Sequence, residues 1–251
     1  MSSIDEASPV APAPVEKVNP FQRIIGVLFS PAETFQSVSR KPDWVVPLLV
    51  LCIISLASAW LISTRIDFND LARQTMEMNP NFNEIPADRQ ATMMKFTAGT
   101  MKVMTYVSPI LSIIGLLIIA GALLLGVRMM GGEGNFAQAF SVAIYGWYPR
   151  LIKGVISVIV LMNRKAITIW DLQNPVRSNL GFLFDPRTKP VAFGFASSFD
   201  IFALWSLALY VIGYSAISRL SRGRTAAVVI ILWLLAVLLT LVGPAMQSIK
   251  K

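Results

Sequence analysis

Within residues 145–154, YGWYPRLIKG, two cations, Arg150 and Lys153, interrupt an otherwise apolar stretch. Three residues apart on a helix, they share one face, and the chemistry such a pair offers is anion binding. Pro149, directly before Arg150, removes one backbone donor and crowds the preceding turn, loosening the helix beside Tyr145. If residues 141–162 cross a bilayer, each cation costs on the order of 3 kcal/mol at that depth. A carboxylate is the usual partner, yet the other apolar stretches hold no Asp or Glu except Asp200, at the very edge of one. The residues therefore predict no protein ion pair. They leave four acceptors open: a water-filled cleft, carbonyls freed at the proline, an anion from outside the chain such as a lipid phosphate, or an interface reached by snorkelling.

Other chemistries find little support. The chain has no histidine and a single cysteine, so no Ser/His/Asp set, disulfide framework or thiolate metal site can be assembled. Gly131, Gly132 and Gly134 surround Glu133 in a loop that resembles a phosphate cradle only superficially, because no GK[ST] ending follows. They read as a tight turn. Eleven methionines, several of them between Met76 and Met104, offer thioethers to a soft metal, but the same residues serve as ordinary gap-fillers on helices. We expect no enzyme, cofactor or metal.

The elements that must position the two cations are set by hydropathy. The chain is 55% hydrophobic and 14% charged over 251 residues, with a mean hydropathy of +0.61. A soluble domain carries about 25% charge, and about 20 apolar residues in a helix cross a bilayer. Spans are predicted at about 45–64, 103–127, 141–162, 199–218 and 226–246, an all-α polytopic bundle of five transmembrane helices. The net charge of +8 fits Lys and Arg at lipid interfaces better than nucleic-acid binding, since no basic soluble domain is present.

Around the spans, residues 1–19 form a Pro/Ala-rich tail expected to be disordered. Phe21, Ile24, Ile25, Leu28 and Phe29 follow at helical spacing, which predicts a short amphipathic helix at the membrane surface. Ser30, Pro31 and Glu33 have the form of a second helix start, a capping box with proline at its first position. Pro42 and Trp44 mark the start of the first span. Residues 87–127 are expected to form one long helix that projects from the bilayer, and the aromatic loop 163–198 to lie on an interface. Arg219, Arg222 and Arg224, with Arg40 and Lys41, favour a cytoplasmic N-terminus, although loops 65–102 and 163–198 are also basic.

The order Phe29-Ser-Pro-Ala-Glu-Thr-Phe35, Pro42-Asp-Trp44, Pro47, then Gly131-Gly-Glu-Gly-Asn-Phe136, Ala139, Tyr145 and Pro149 resembles the Ypt-interacting-protein (Yip) domain family in its bacterial form. The resemblance covers about residues 20–246. It implies five spans with the N-terminus in the cytoplasm, hence a bacterial inner membrane. Eukaryotic members contact Rab-type GTPases and organise Golgi and ER membranes, machinery that bacterial relatives lack.

Together these readings describe a non-enzymatic membrane protein that organises the bilayer or binds partner proteins or itself, with a candidate anionic-lipid contact at Arg150 and Lys153. The alternative is a transporter or channel component that conducts an anion or lipid headgroup.

Overall fold

The computed structural model describes residues 19–249 except 80. The expected tail, Asn19 aside, lies outside the described residues, as do Pro80, Lys250 and Lys251. Helix α1 (Pro20–Phe29) is capped by Asn19, whose side chain accepts from Phe21 N at 3.0 Å. Helix α2 (Pro31–Arg40) follows after one residue, with Pro31 at its first position. The predicted capping box does not form: Ser30 makes no side-chain cap bond. Its N–H donates to the Gly26 carbonyl at 2.6 Å to close α1, so the donor that Glu33 would need is already taken. Thr34 Oγ1 donates to the Ser30 carbonyl at 3.0 Å instead. The corner is tight enough that a Cβ on Gly26 would lie 2.6 Å from Thr34 Oγ1.

Five helices are long and apolar enough to cross a membrane. They are α3 (Val45–Ser63), α5 (Ala87–Met129), α6 (Phe136–Met162), α9 (Ile201–Ser218) and α10 (Arg222–Ile249). All lie near the predicted spans, and α5 is one continuous helix, as expected. At 43 residues it is about 65 Å long, roughly twice the hydrocarbon thickness. Helix α6 starts earlier than the predicted span because Asn135 and Gln138 complete a capping box there. It is the central helix, packed against α3, α5 and α9. Residues 139–146 are buried on every side, and α6 continues through Pro149 without a break, a correction to the loosening expected at that proline.

Buried tyrosines fasten the spans to one another through backbone carbonyls, the acceptors a helix offers where water is absent. Tyr214 of α9 donates to the Ala139 carbonyl at 3.1 Å, and Tyr148 of α6 to the Pro47 carbonyl at 2.9 Å. Close approach depends on small residues. A Cβ on Gly146 would stand 2.3 Å from the Tyr210 ring, and one on Gly213 would stand 2.4 Å from Val142 and 3.0 Å from Phe35 of α2.

The alternation of spans puts α1, α2 and the turns at 130–135 and 219–221 at one end of the bundle. In the first of these turns Gly131 and Gly134 adopt φ of +82° and +111°, and the Gly132 N–H donates to the Val127 carbonyl at 2.9 Å. The other end holds the projecting start of α5 with α4 (Phe68–Glu77), α7 (Ile169–Gln173) and α8 (Pro190–Ser197). Helix α4 was hidden in a loop of mixed charge. Asp67 caps it by accepting from Asn69 and Asp70 N–H groups, and Leu71 and Ala72 bury its inner side. Arg164 lies 3.4 Å from Asp171 of α7. Burial pushes the Asp171 carboxyl up, but bonds from Thr168 and the Arg164 cation outweigh it and hold the group below its ordinary range. Helix α8 packs against α10, and Phe182, Leu183 and Phe195 of this loop stay exposed.

Because Val142 of α6 and Phe35 of α2 fill the space that Gly213 leaves, Gly213→Ala is expected to push α9 away from both and lower stability by about 1–3 kcal/mol. Cys52, the single cysteine, lies partly buried in α3. Its reaction with a thiol dye during thermal unfolding in detergent reports the change. An unaltered melting temperature would mean that α9 does not depend on these contacts.

Candidate functional site

Helix α6 brings Arg150 and Lys153 to the half of the bundle nearer α4, α7 and α8, and gives them different surroundings. Lys153 Nζ lies 2.7 Å from Asp200 Oδ2, with the carboxylate side chain only 6% exposed. This corrects the expectation that no protein ion pair accommodates the cations. Asp200 is the N-cap of α9, where its other oxygen accepts from the Phe202 and Ala203 N–H groups. Ser178 Oγ also donates to it. An aspartate at a span edge is too shallow by hydropathy to count as intramembrane, but Lys153 has four methylenes with which to reach that edge.

Among the described residues Arg150 has no such partner. Its guanidinium carbon stands 5.0 Å from the centroid of the Trp147 ring one turn earlier, a cation–π contact that offsets part of its desolvation. Its Nε is buried without a hydrogen-bond partner. The side chain lines a cleft of about 560 Å³ between α3, α5 and α6, with α4 and α7 contributing Phe68, Leu71, Ile169 and Leu172. The wall of α3 supplies Ser55 and Ser58, that of α5 supplies Thr105, Ser108 and Ser112, and that of α6 supplies Gly154. Met101 and Met104 line it as well.

A second polar cluster joins the other end of the bundle to α6, and Tyr145 belongs to it. Arg23, 5% exposed, pairs with Asp43 at 2.6 Å. It also donates to the Lys41 carbonyl at 2.9 Å and to Ser37 Oγ at 2.7 Å. Tyr145 OH donates to Asp43, with both carboxylate oxygens at 3.1 Å, and Gln138 reaches the Ser39 carbonyl at 2.6 Å. Residues distant in sequence thus clamp the α1–α2 corner onto α6. The signal was Arg23 itself, a cation inside the apolar run of α1. Clamping changes which side of α1 is buried. Ile24 and Leu28 pack on the core with Val27, while Phe21, Ile25 and Phe29 point outward, at 58%, 61% and 81% exposure. The three glycines, Gly131, Gly132 and Gly134, are placed in the 130–135 turn and Pro31 in the α1–α2 corner.

Five spans around a tyrosine-bearing central helix, preceded by two short helices and joined by a glycine turn, agree with what comparison of the sequence finds: a Yip1 domain profile matches residues 25–243. The chain belongs to the Yip1 domain family. No curated protein and no solved structure matches it. The Yip1 domain match takes in Asp43, Tyr145, Arg150, Lys153 and Asp200, whereas Arg23 precedes its first residue. The Yip1 family is one of membrane proteins and is not known for enzymes, so its assignment accounts for architecture and leaves the work of Arg150 open.

The two partners of the α6–α9 bridge give a prediction. Asp200→Ala removes the anion beside Lys153 and the α9 cap together, and is expected to cost about 2–4 kcal/mol. Asp200→Asn with Lys153→Met keeps a capping acceptor and leaves no charge unpaired, and should recover most of that loss. Thermal unfolding of wild type and the two variants in detergent checks the order. A double variant as unstable as Asp200→Ala would refute the pairing.

Proposed function

We propose that the protein works without catalysis as an organiser of its own bilayer, through an amphipathic helix fixed at the membrane surface and an anionic-lipid contact at Arg150. One observation carries this reading. Helix α1 is held on the bundle by Arg23, Asp43 and Tyr145, with Phe21, Ile25 and Phe29 outward along one line. A helix set on its partner domain with large apolar side chains outward inserts at the boundary of headgroups and acyl chains. A rigid clamp lets that insertion act on the lipid instead of letting the helix swing away.

The aromatic segment with Phe182, Leu183 and Phe195 exposed supplies the corresponding contact at the opposite interface. Partner or self-association is assigned to the projecting start of α5, where Phe96 is 76% exposed. The family resemblance supports a cytoplasmic N-terminus in a bacterial inner membrane; the positive-inside rule does not decide it, because Arg40, Lys41, Arg128, Arg219, Arg222 and Arg224 at the α1–α2 end are set against ten basic residues in 65–102 and 163–198 at the other.

Conduction of an anion or headgroup has weaker support. Beyond Ser112 and Ser55 toward the α1–α2 end, the neighbouring side chains Leu51, Leu116 and Tyr148 are buried, so the polar wall stops partway through the membrane.

The test is reconstitution of the full chain into large vesicles at rising protein-to-lipid ratio. Wild type is expected to narrow or tubulate them. Phe21→Ser, Ile25→Ser and Phe29→Ser combined should abolish the change while the melting temperature stays within a few degrees. Vesicles that remodel equally with both proteins would rule out the wedge, and anion flux that Arg150→Ala abolishes would replace this reading with conduction.

A further inference from the structure

We infer that the cleft at Arg150 is a binding site, open on the side of the bilayer, for the phosphate headgroup of an anionic phospholipid. The inference rests on the lipid contact at Arg150 proposed above and deepens it, by naming the cavity, the donors and the class of ligand.

Arg150 brings a guanidinium that no carboxylate neutralises among the described residues, and one of its buried nitrogens has no acceptor. Lys153, by contrast, is neutralised by Asp200. The net charge of the cleft is therefore that of Arg150 alone. A buried arginine nitrogen without a partner is costly in low dielectric; Nε is closed off from the cleft, so an anion there pairs with the terminal nitrogens Nη1 and Nη2, which make no hydrogen bond among the described residues.

The hydroxyls around Arg150 divide into two sets. Thr105, Ser108 and Ser112 donate back to carbonyls on their own helix, at 2.9, 3.0 and 2.9 Å. Ser55 and Ser58 line the same cleft from α3, three residues apart and so on one face, and they make no hydrogen bond among the described residues. Two free hydroxyl donors and one guanidinium converge on a single space. A phosphodiester, with a delocalised charge and oxygens directed to different sides, can accept from all three. Planar bidentate pairing with arginine is available to it as well.

The remainder of the cleft is suited to the lipid behind the headgroup. Its volume of about 560 Å³ is far more than a bare phosphate fills, and Met101, Met104, Leu151 and Val158 give it apolar walls. Two of its lining residues, Ser108 and Gly154, are exposed at the outer surface of membrane helices, so the opening faces acyl chains. A Cβ built on Gly154 meets nothing within 4 Å. The position therefore has room for a side chain, and a large one there is expected to narrow the opening.

The test uses the full chain in phosphatidylcholine nanodiscs containing spin-labelled phosphatidylglycerol, with the protein-immobilised fraction read by electron paramagnetic resonance. Wild type is expected to hold phosphatidylglycerol at least about fivefold in preference to phosphatidylcholine, and to keep that preference in 0.5 M salt, since a desolvated site is screened far less than a surface one. Arg150→Gln, Gly154→Trp and the pair Ser55→Ala, Ser58→Ala should each reduce the preference at least about threefold, with melting temperatures near wild type. Arg222→Gln with Arg224→Gln, at the opposite end, should leave it in place. If Arg150→Gln reduces the preference while the Gly154 and serine variants do not, a lipid contact at Arg150 stands and the cleft site is overturned. If none of the variants reduces it, both fail. Displacement of the labelled lipid by inorganic phosphate or by oleate as readily as by unlabelled phosphatidylglycerol would also overturn the assignment to a phospholipid headgroup.

Discussion

A polar group placed in hydrocarbon has no water to fall back on, so its partner must be another part of the protein or a molecule the protein captures. That constraint explains more of this bundle than hydrophobic burial does. Lipid tails are as apolar as leucine, and burying Leu51 or Leu116 between helices gains little over leaving it in the bilayer. The tyrosine hydroxyls gain a great deal. Tyr214 spans from α9 to the Ala139 carbonyl on α6, and Tyr148 from α6 to the Pro47 carbonyl on α3. These bonds, with Lys153 to Asp200, fix both the rotation of α6 and the depth of its neighbours. Small residues such as Gly146 and Gly213 then let the backbones approach closely enough for the bonds to be made.

The same constraint operates at the α1–α2 corner. Asp43 follows Pro42 just before α3, and Arg23 comes from α1, two helices earlier. Neither could remain buried alone, and with Tyr145 they form one hydrogen-bonded cluster, although Arg23 Nε stays without an acceptor. Once Arg23 turns inward, Phe21, Ile25 and Phe29 are forced outward by helical geometry. The apolar wedge is thus a consequence of a buried ion pair. Its side chains would otherwise have been free to collapse onto the core.

Hydropathy made the five spans legible, because twenty apolar residues in sequence have few other fates. The long α5 was legible too, since Ala87 to Lys102 lacks proline and leads directly into a span. The short helix α4 was obscured by balanced charge, although Asp67 and the Leu71-Ala72 pair carry its cap and its buried side. At the site, Arg150 and Lys153 could be singled out as a pair but not distinguished. Their fates depend on which neighbour each faces, and that is set by the packing of α6 against α9, at a sequence separation of 47 residues for Lys153 and Asp200. Arg23 was read as one residue of an amphipathic helix for the same reason, because its partner Asp43 lies beyond a second helix.

The asymmetry of α6 follows from what packs around each half. Residues 139–146 are enclosed by α3, α5 and α9, and by the α1–α2 corner, and the Ser141 and Tyr145 hydroxyls there find acceptors inside the chain. Past Pro149 the neighbours change. Helix α5 continues straight out of the bilayer and is occupied by α4, while α3 presents Ser55, Ser58 and Ala59 toward the gap, with Ile62 one turn further on. Small side chains on α3 and a glycine on α6 cannot fill the space between helices that do not converge. A cavity at this depth would ordinarily be closed by a larger apolar residue, and leaving an arginine in it costs on the order of 3 kcal/mol. Arg150 and the space beside it therefore belong together: an anion that occupies the cleft offsets the penalty of the cation and fills the volume that the helices leave.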